Sequence, residues 1–146
     1  PKANITKLNL SEICLVYIDE YKRNYGKIEI IHNIEDDLFV NFDHSYLDII
    51  FNNLFKNSIE ALETTNNPSI DISLKKTDKK LILTFFDNGP GYDGNIDDLI
   101  KPYFSTKNSS GLGLSLINKI ITDNSYKMNI TTNSYSGFKI EIIFYD

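Results

Sequence analysis

Three short groups of residues have the types and spacing of a site for an anionic ligand. Asn53 and Asn57 lie four apart in a stretch whose apolar residues recur with helical period. On a helix they share the flank where an apolar stripe meets the polar side. Asparagine is a mediocre helix former, and an amide at a core edge is costly unless something bonds it, so local propensity does not select this pair. By themselves the two amides are equally compatible with solvated side chains in an asparagine-rich chain. The second group, Asp87-Asn88-Gly89-Pro90-Gly91, is a sharp turn leaving an alternating apolar run, and the third, Gly111-Leu112-Gly113-Leu114, restarts a helix. Glycines remove the Cβ atoms that block close backbone approach, and a glycine-led helix start offers unpaired N–H groups and a positive dipole end to phosphate. The polar segment between these two groups, about 92–110, reads as a movable lid.

The elements that must hold these groups follow from periodicity. A helix is expected over 8–21, with Leu10, Ile13, Cys14, Tyr17 and Ile18 at helical spacing and Asn9 or Ser11 as its cap. The short β-rich runs 27–33 and 38–42, separated by Glu35-Asp36-Asp37, predict a hairpin. Asp43 then caps the longest helix, 44 to about 63. Its stripe is Leu47, Ile50, Phe51, Leu54, Ser58, Ala61 and Leu62, with Asn52, Lys56 and Glu63 toward water. Strands are expected over 69–75 and 80–87 around Asp78-Lys79, and over 128–132 and 138–144 around the turn 134–137. The intervening helix, 111–125, is apolar on most faces and should be well buried. This order predicts an α+β fold, a two-layer α/β sandwich with a mixed, mostly antiparallel sheet covered by helices on one face.

The totals bound the function class. At 146 residues the chain reads as one domain, 1–146, with 1–8 as a linker remnant. A formal charge of −5 with lysines scattered along the sequence argues against nucleic acid as a partner, so an anionic ligand must be held by local features. The single cysteine, Cys14, sits in an apolar run and reads as a core residue of a reducing compartment. No apolar run is long enough to span a bilayer, which suits a cytoplasmic domain; a longer parent anchored in the inner membrane is compatible with it. His32 and His44 have no neighbouring Cys or second His at ligand spacing and read as ordinary strand or helix-start residues.

Taken together, Asn53-x-x-x-Asn57 with Ser58-Ile59-Glu60-Ala61, Asp87-x-Gly89-x-Gly91, Lys101-Pro102-Tyr103-Phe104-Ser105-Thr106-Lys107 and Gly111-Leu112-Gly113-Leu114 resemble, in order and spacing, the boxes of the ATP-binding catalytic domain of sensor histidine kinases. That family belongs to the larger group that includes gyrase, the Hsp90 chaperones and MutL. The resemblance runs from about Leu10 to the C-terminus, and the asparagine and lysine boxes look most like those of nitrogen-regulation sensor kinases.

The resemblance implies a Bergerat-type ATP-binding fold with an ATP lid. ATP would be bound by Asn53, Asn57, Asp87, Gly89, Gly91, Lys107, Ser110, Gly111, Leu112, Gly113 and Leu114. Asn57 would ligate Mg²⁺, Asp87 would accept a hydrogen bond from the adenine amino group, and Phe104 would anchor the lid; no residue is singled out as catalytic. The implied activity is donation of the γ-phosphoryl group to a histidine on the protein's own histidine-phosphotransfer and dimerisation domain, upstream of a response regulator. Neither His32 nor His44 has the family's H-E/D-x-x-x-P-like setting, so the chain, expected to be a monomer, should lack the phosphoacceptor. Asn53 stands where the hydrolytic members carry a glutamate, and an amide cannot serve as a general base, which favours phosphotransfer over hydrolysis. Ser109 replaces the first glycine of the last box, and Ser136-Gly137-Phe138-x-Ile140 matches the final family box only weakly. Two rival readings are an anti-sigma factor serine kinase of the same superfamily and a degenerate domain that senses nucleotide or binds partners without catalysis.

Overall fold

The computed structural model describes residues 2–102, 113–133 and 137–145. Strand β1 (Ile5–Asn9) leads into helix α1 (Leu10–Asn24), followed by β2 (Glu29–Ile34), β3 (Phe39–Asp43) and the long helix α2 (His44–Ala61). The chain continues as β4 (Ser69–Thr77), β5 (Lys80–Asp87), a one-turn helix α3 (Ile96–Leu99), α4 (Gly113–Asp123), β6 (Lys127–Asn133) and β7 (Gly137–Tyr145). A five-stranded sheet has the order β2-β4-β5-β7-β6, parallel between β2 and β4 and antiparallel elsewhere, and β1 pairs with β3 in a separate two-stranded sheet. The α+β sandwich expected from the sequence is the observed architecture.

Two expectations are corrected. The hairpin over 27–42 does not form, because each strand bonds a different sheet. The connection between them is taken up by other partners: Glu35 N–H donates to Leu74 O, and Ser11 Oγ donates to Glu35 O at 2.6 Å while accepting from Leu38 N–H at 3.0 Å. Leu38 O then accepts from Leu10 N–H. Ser11, buried on α1, thus substitutes for the turn a hairpin would need. The stretch 1–8, read as a linker, contains most of β1, whose register sets Ile5 opposite Asp43. Ile5, Thr6 and Lys7 are exposed and Leu8 and Asn9 half-buried, without the alternation that marks a strand in sequence.

The core lies between the sheet and the helices. Alternate residues Ile70, Ile72 and Leu74 of β4, Leu81, Leu83 and Phe85 of β5, and Ile140, Ile142 and Phe144 of β7 point one way and are buried, as a period of two requires. Against them α2 buries Leu47, Ile50, Phe51 and Leu54, and also Phe55, which the expected stripe omitted. Phe55 is sealed by Tyr21 stacked at 4.0 Å between ring centroids and by Phe85 edge-on at 5.0 Å. Cys14 is fully buried in the same core, and burial pushes its thiol up to about 12, so it packs rather than reacts. Asp43 caps α2 by accepting from Ser45 N–H and Ser45 Oγ, and it also accepts from Asn4 N–H at 2.7 Å, which ties the N-terminal strand to the helix start. Helix α4 is less enclosed than expected: Ile117, Ile120 and Ile121 are buried, whereas Leu116 is 41% exposed.

Candidate functional site

Helix α2 and the end of β5 build the site. Asp87 is the last residue of β5, and the alternation that buries Leu81, Leu83 and Phe85 turns its carboxylate inward too. Among the described residues, Gly89 N–H donates to its Oδ1 at 3.0 Å, and the Ser58 hydroxyl from α2 also donates to the carboxylate. Burial outweighs those hydrogen bonds and pushes the Asp87 carboxyl up to about 6. An acceptor with few donors, kept at the end of a strand, suits a ligand that brings its own N–H.

The turn after Asp87 is fixed on both sides. Asn88 Oδ1 accepts from Ser69 N–H, Asn88 Nδ2 donates to Asn67 O, and Tyr92 N–H donates to Thr132 Oγ1, which itself donates to Gly137 O at 2.7 Å. Gly89 is required by space: a Cβ there would lie 2.9 Å from Asp87 Oδ1 and 3.2 Å from Ala61 O of α2. Gly91 is required by backbone conformation, with φ at 73°.

About one and two turns back along α2 from Ala61, Asn57 and Asn53 are half-buried and face the start of α4. Asn53 Nδ2 donates to Ile49 O at 2.7 Å, which aims Oδ1 outward. A methyl added at Gly113 would sit 3.2 Å from Asn53 Oδ1 and 3.3 Å from the Asn57 amide, so the absent Cβ leaves a cradle between the two helices. Gly113 itself is buried, and Leu114 packs against the core. Of the residues singled out from sequence, the structure therefore assembles Asn53, Asn57 and Gly113 at one place and Asp87, Gly89 and Gly91 at another, with α2 as the common wall. Lys107, Ser110, Gly111 and Leu112, together with Phe104 and Ser109, lie outside the described residues.

Sequence reasoning missed three contributors. Ser58 was counted in the apolar stripe; a hydroxyl on such a stripe needs a partner, and that requirement was the available signal. Thr132 and Gly137 are joined to the 87–92 turn only by the sheet, across a separation no local pattern reports. His32 Nδ1 is 3.2 Å from Lys22 Nζ, and His44 Nδ1 is 3.7 Å from Asp48 Oδ2; both residues are exposed, His32 within β2 and His44 at the start of α2, the strand and helix-start positions expected.

A family model described as histidine kinase-, DNA gyrase B-, and HSP90-like ATPase matches residues 42–145. Sporulation kinase B of Bacillus subtilis (strain 168) is 31% identical over 121 residues, 82% of this chain and 28% of that protein. The sensory histidine kinase/phosphatase NtrB of Rhizobium leguminosarum bv. phaseoli is 38% identical over 108 residues, 62% of this chain and 28% of that protein. The nucleotide-free catalytic domain of histidine kinase ThkA superposes with a TM-score of 0.86 at 26% identity, covering 97% of both chains. The mycobacterial sensor histidine kinase MprB, at 17% identity and a TM-score of 0.83, adds support for the fold alone. The chain spans 28% or less of the length of the first of these curated relatives. Because the family model takes in α2, Asp87, Gly113 and all of the five-stranded sheet except β2, the chain belongs to the histidine kinase-, DNA gyrase B- and HSP90-like ATPase family.

Proposed function

We propose that this chain binds Mg·ATP and acts as the catalytic domain of a two-component sensor histidine kinase, passing the γ-phosphoryl group to a histidine on a separate dimerisation domain. One observation carries the reading. A single helix, α2, presents Ser58 to a buried carboxylate and, from the adjoining Asn57 and from Asn53 one turn before it, two amides to a Cβ-free helix start, so a base-recognition site and a phosphate cradle would share one wall. The ThkA kinase, 25% identical over 97% of this chain, has been solved in complex with the response regulator TrrA. By that likeness a response regulator is the downstream partner here.

The residues fit the ligand. The Asp87 carboxylate accepts the exocyclic N–H of adenine and disfavours guanine, which carries a carbonyl at that place. A Cβ at Gly113 would crowd the Asn53 and Asn57 amides at 3.2–3.3 Å, so glycine keeps the α4 start close to both, where its backbone N–H groups would meet phosphate. Among the described residues no three His, Cys, Asp or Glu side chains converge. A hard cation would thus take the Asn57 amide oxygen with phosphate and water oxygens, the low protein-ligand count Mg²⁺ accepts. Bound Mg²⁺ supplies charge neutralisation at the phosphates. Asn53 holds no proton-abstracting group, so it positions rather than activates water, and transfer to an external acceptor is the supported outcome. We take 92–110 as the lid over this site, Lys107 as a point charge on the phosphates, and 110–114 as the remainder of the cradle.

Calorimetric titration with ATP, with and without Mg²⁺, tests the site in the wild type, Asp87→Asn and Asn57→Ala. Binding should vanish in Asp87→Asn and weaken in Asn57→Ala chiefly when Mg²⁺ is present. With γ-labelled ATP and the histidine-bearing helical domain of a related kinase, label should move to that domain. Absence of saturable ATP binding in the folded chain, or label on His32 or His44, would refute the reading.

A further inference from the structure

Five lysines, four of them within 75–80 and the fifth on β1, come together at the end of the sheet opposite the candidate site. The β4–β5 turn runs Lys75-Lys76-Thr77-Asp78-Lys79-Lys80, and β1 brings Lys7 beside it. Between this turn and β3 lies a groove of about 380 Å³, lined by Lys7, Asp37, Phe39, Lys76, Lys79 and Tyr145 over a floor of buried aliphatic residues. Register places it well away from Asp87: β5 pairs Lys80 with Tyr145 at this end and Asp87 with Phe138 at the other. Seven strand steps separate the two, about 23 Å.

The cations at this groove outnumber the anions, with five lysines against Asp37 in the lining and Asp78 in the turn. None of Lys7, Lys75, Lys76, Lys79 and Lys80 forms an ion pair with a described carboxylate. Lys7 Nζ instead lies 5.0 Å from the Phe39 ring centroid and Lys80 Nζ 6.0 Å from that of Tyr145, two rings exposed by 47% and 42%. Nearby, a Glu35 carboxylate oxygen accepts Lys76 N–H, and Asp37 is the one acidic side chain among the lining residues. A chain of net charge −5 thus concentrates cations and exposed aromatic rings on one concave surface. Coulomb attraction steers acidic groups to such a patch, and the rings offer the anchoring area that charge alone lacks. Its exposed lining is ammonium groups and ring faces rather than a deep apolar wall, which suits an extended segment better than a small molecule. A long polyanion would meet the negative field of the rest of the chain beyond the groove, whereas a short acidic segment places its charge inside it.

We propose that this groove docks a short acidic peptide segment of a partner protein, with an aromatic side chain of that segment held against Phe39 and Tyr145. Fluorescence anisotropy with three fluorescein-labelled dodecapeptides tests it: ten Glu with two Phe, the same with Gln for Glu, and the same with Ala for Phe. The Glu/Phe peptide should bind the chain and lose affinity as salt rises. Binding should weaken by about tenfold with Gln for Glu and about threefold with Ala for Phe. The variant Lys7→Glu/Lys76→Glu/Lys79→Glu, checked for fold by circular dichroism, should bind it at least about tenfold more weakly with ATP affinity unchanged. Equal binding by the charge-reversed variant, indifference to the Phe residues, or tighter binding of a twelve-nucleotide DNA strand overturns the proposal. Should the variant not fold, amide shift mapping on the wild type decides: perturbations from the Glu/Phe peptide must centre on β1, β3 and the β4–β5 turn, and a footprint elsewhere overturns it.

Discussion

Replacing Asp87 by asparagine should stabilise the ligand-free protein and, on the proposed reading of the site, abolish ATP binding. The carboxyl is pushed from an ordinary 3.8 to about 6, burial being the larger cause and the hydrogen bonds from Gly89 N–H and Ser58 opposing it. Because the folded-state value is the higher one, the group's favourable contribution is complete below pH 3.8 and is lost as pH rises through about 6. At pH 7.5 the buried, ionised carboxylate costs the fold about 3 kcal/mol relative to the unfolded chain, at about 1.36 kcal/mol per tenfold change in proton affinity. Asparagine keeps the shape and still accepts from Gly89 N–H and Ser58 Oγ but carries no charge. Its NH₂ needs a partner that the site offers only in part, which trims the expected gain to about 2 kcal/mol. For a chain of this size that is roughly 4–8 °C in Tm. Urea unfolding followed by circular dichroism at pH 7.5, 6.0 and 4.0 measures it. Asp87→Asn should lead at pH 7.5, lead by less at pH 6.0 and show no advantage at pH 4.0. A variant no more stable than the wild type at pH 7.5, or a gap independent of pH, would refute the claim that the chain holds a strained carboxylate ready for a ligand.

Three further outcomes follow from the same contacts. Ser58→Ala removes a donor to the charged carboxylate and should cost about 1.5 kcal/mol at pH 7.5 and less at pH 4, read from the same unfolding curves. Gly113→Ala should leave Tm within about 2 °C, since a helix gains from alanine what the crowded Asn53 and Asn57 amides lose, yet weaken Mg·ATP binding roughly tenfold in calorimetry. Gly137→Ala combines a left-handed backbone, φ 74°, with a Cβ only 2.2 Å from Asp87 O, and should lower stability by more than about 2 kcal/mol in urea unfolding.

How far the sequence could be read depended on how local each cause was. Helix α2 was legible because its start is a capping aspartate and its body has a helical apolar period; Asp43 caps it, and Leu47, Ile50, Phe51, Leu54 and Ser58 of the expected stripe are buried. The β4–β5 pair was legible because two alternating runs flank Asp78-Lys79, and Asp78 takes the left-handed turn conformation at φ 54°. The hairpin over 27–42 failed because register choice between β2 and its neighbours is decided by Ser11 and Leu74, both remote in sequence. Phe55 and Leu116 were misplaced for a related reason: a helical wheel gives faces, and only the packed neighbours decide how wide the covered face is.

The sequence by itself determined the α+β class, the residue types of the candidate site and their order along the chain, since turn glycines, capping side chains and hydrophobic period act within a few residues. Only the tertiary structure decided that Ser58 donates to Asp87, that Gly113 lies against Asn53 and Asn57, and that Lys7 joins the lysines of the β4–β5 turn. Each of these joins residues at least 29 positions apart, or as many as 72. Such contacts form only after strand register and helix placement have been fixed by burial of the shared core, a free energy that belongs to the whole chain and to no local pattern.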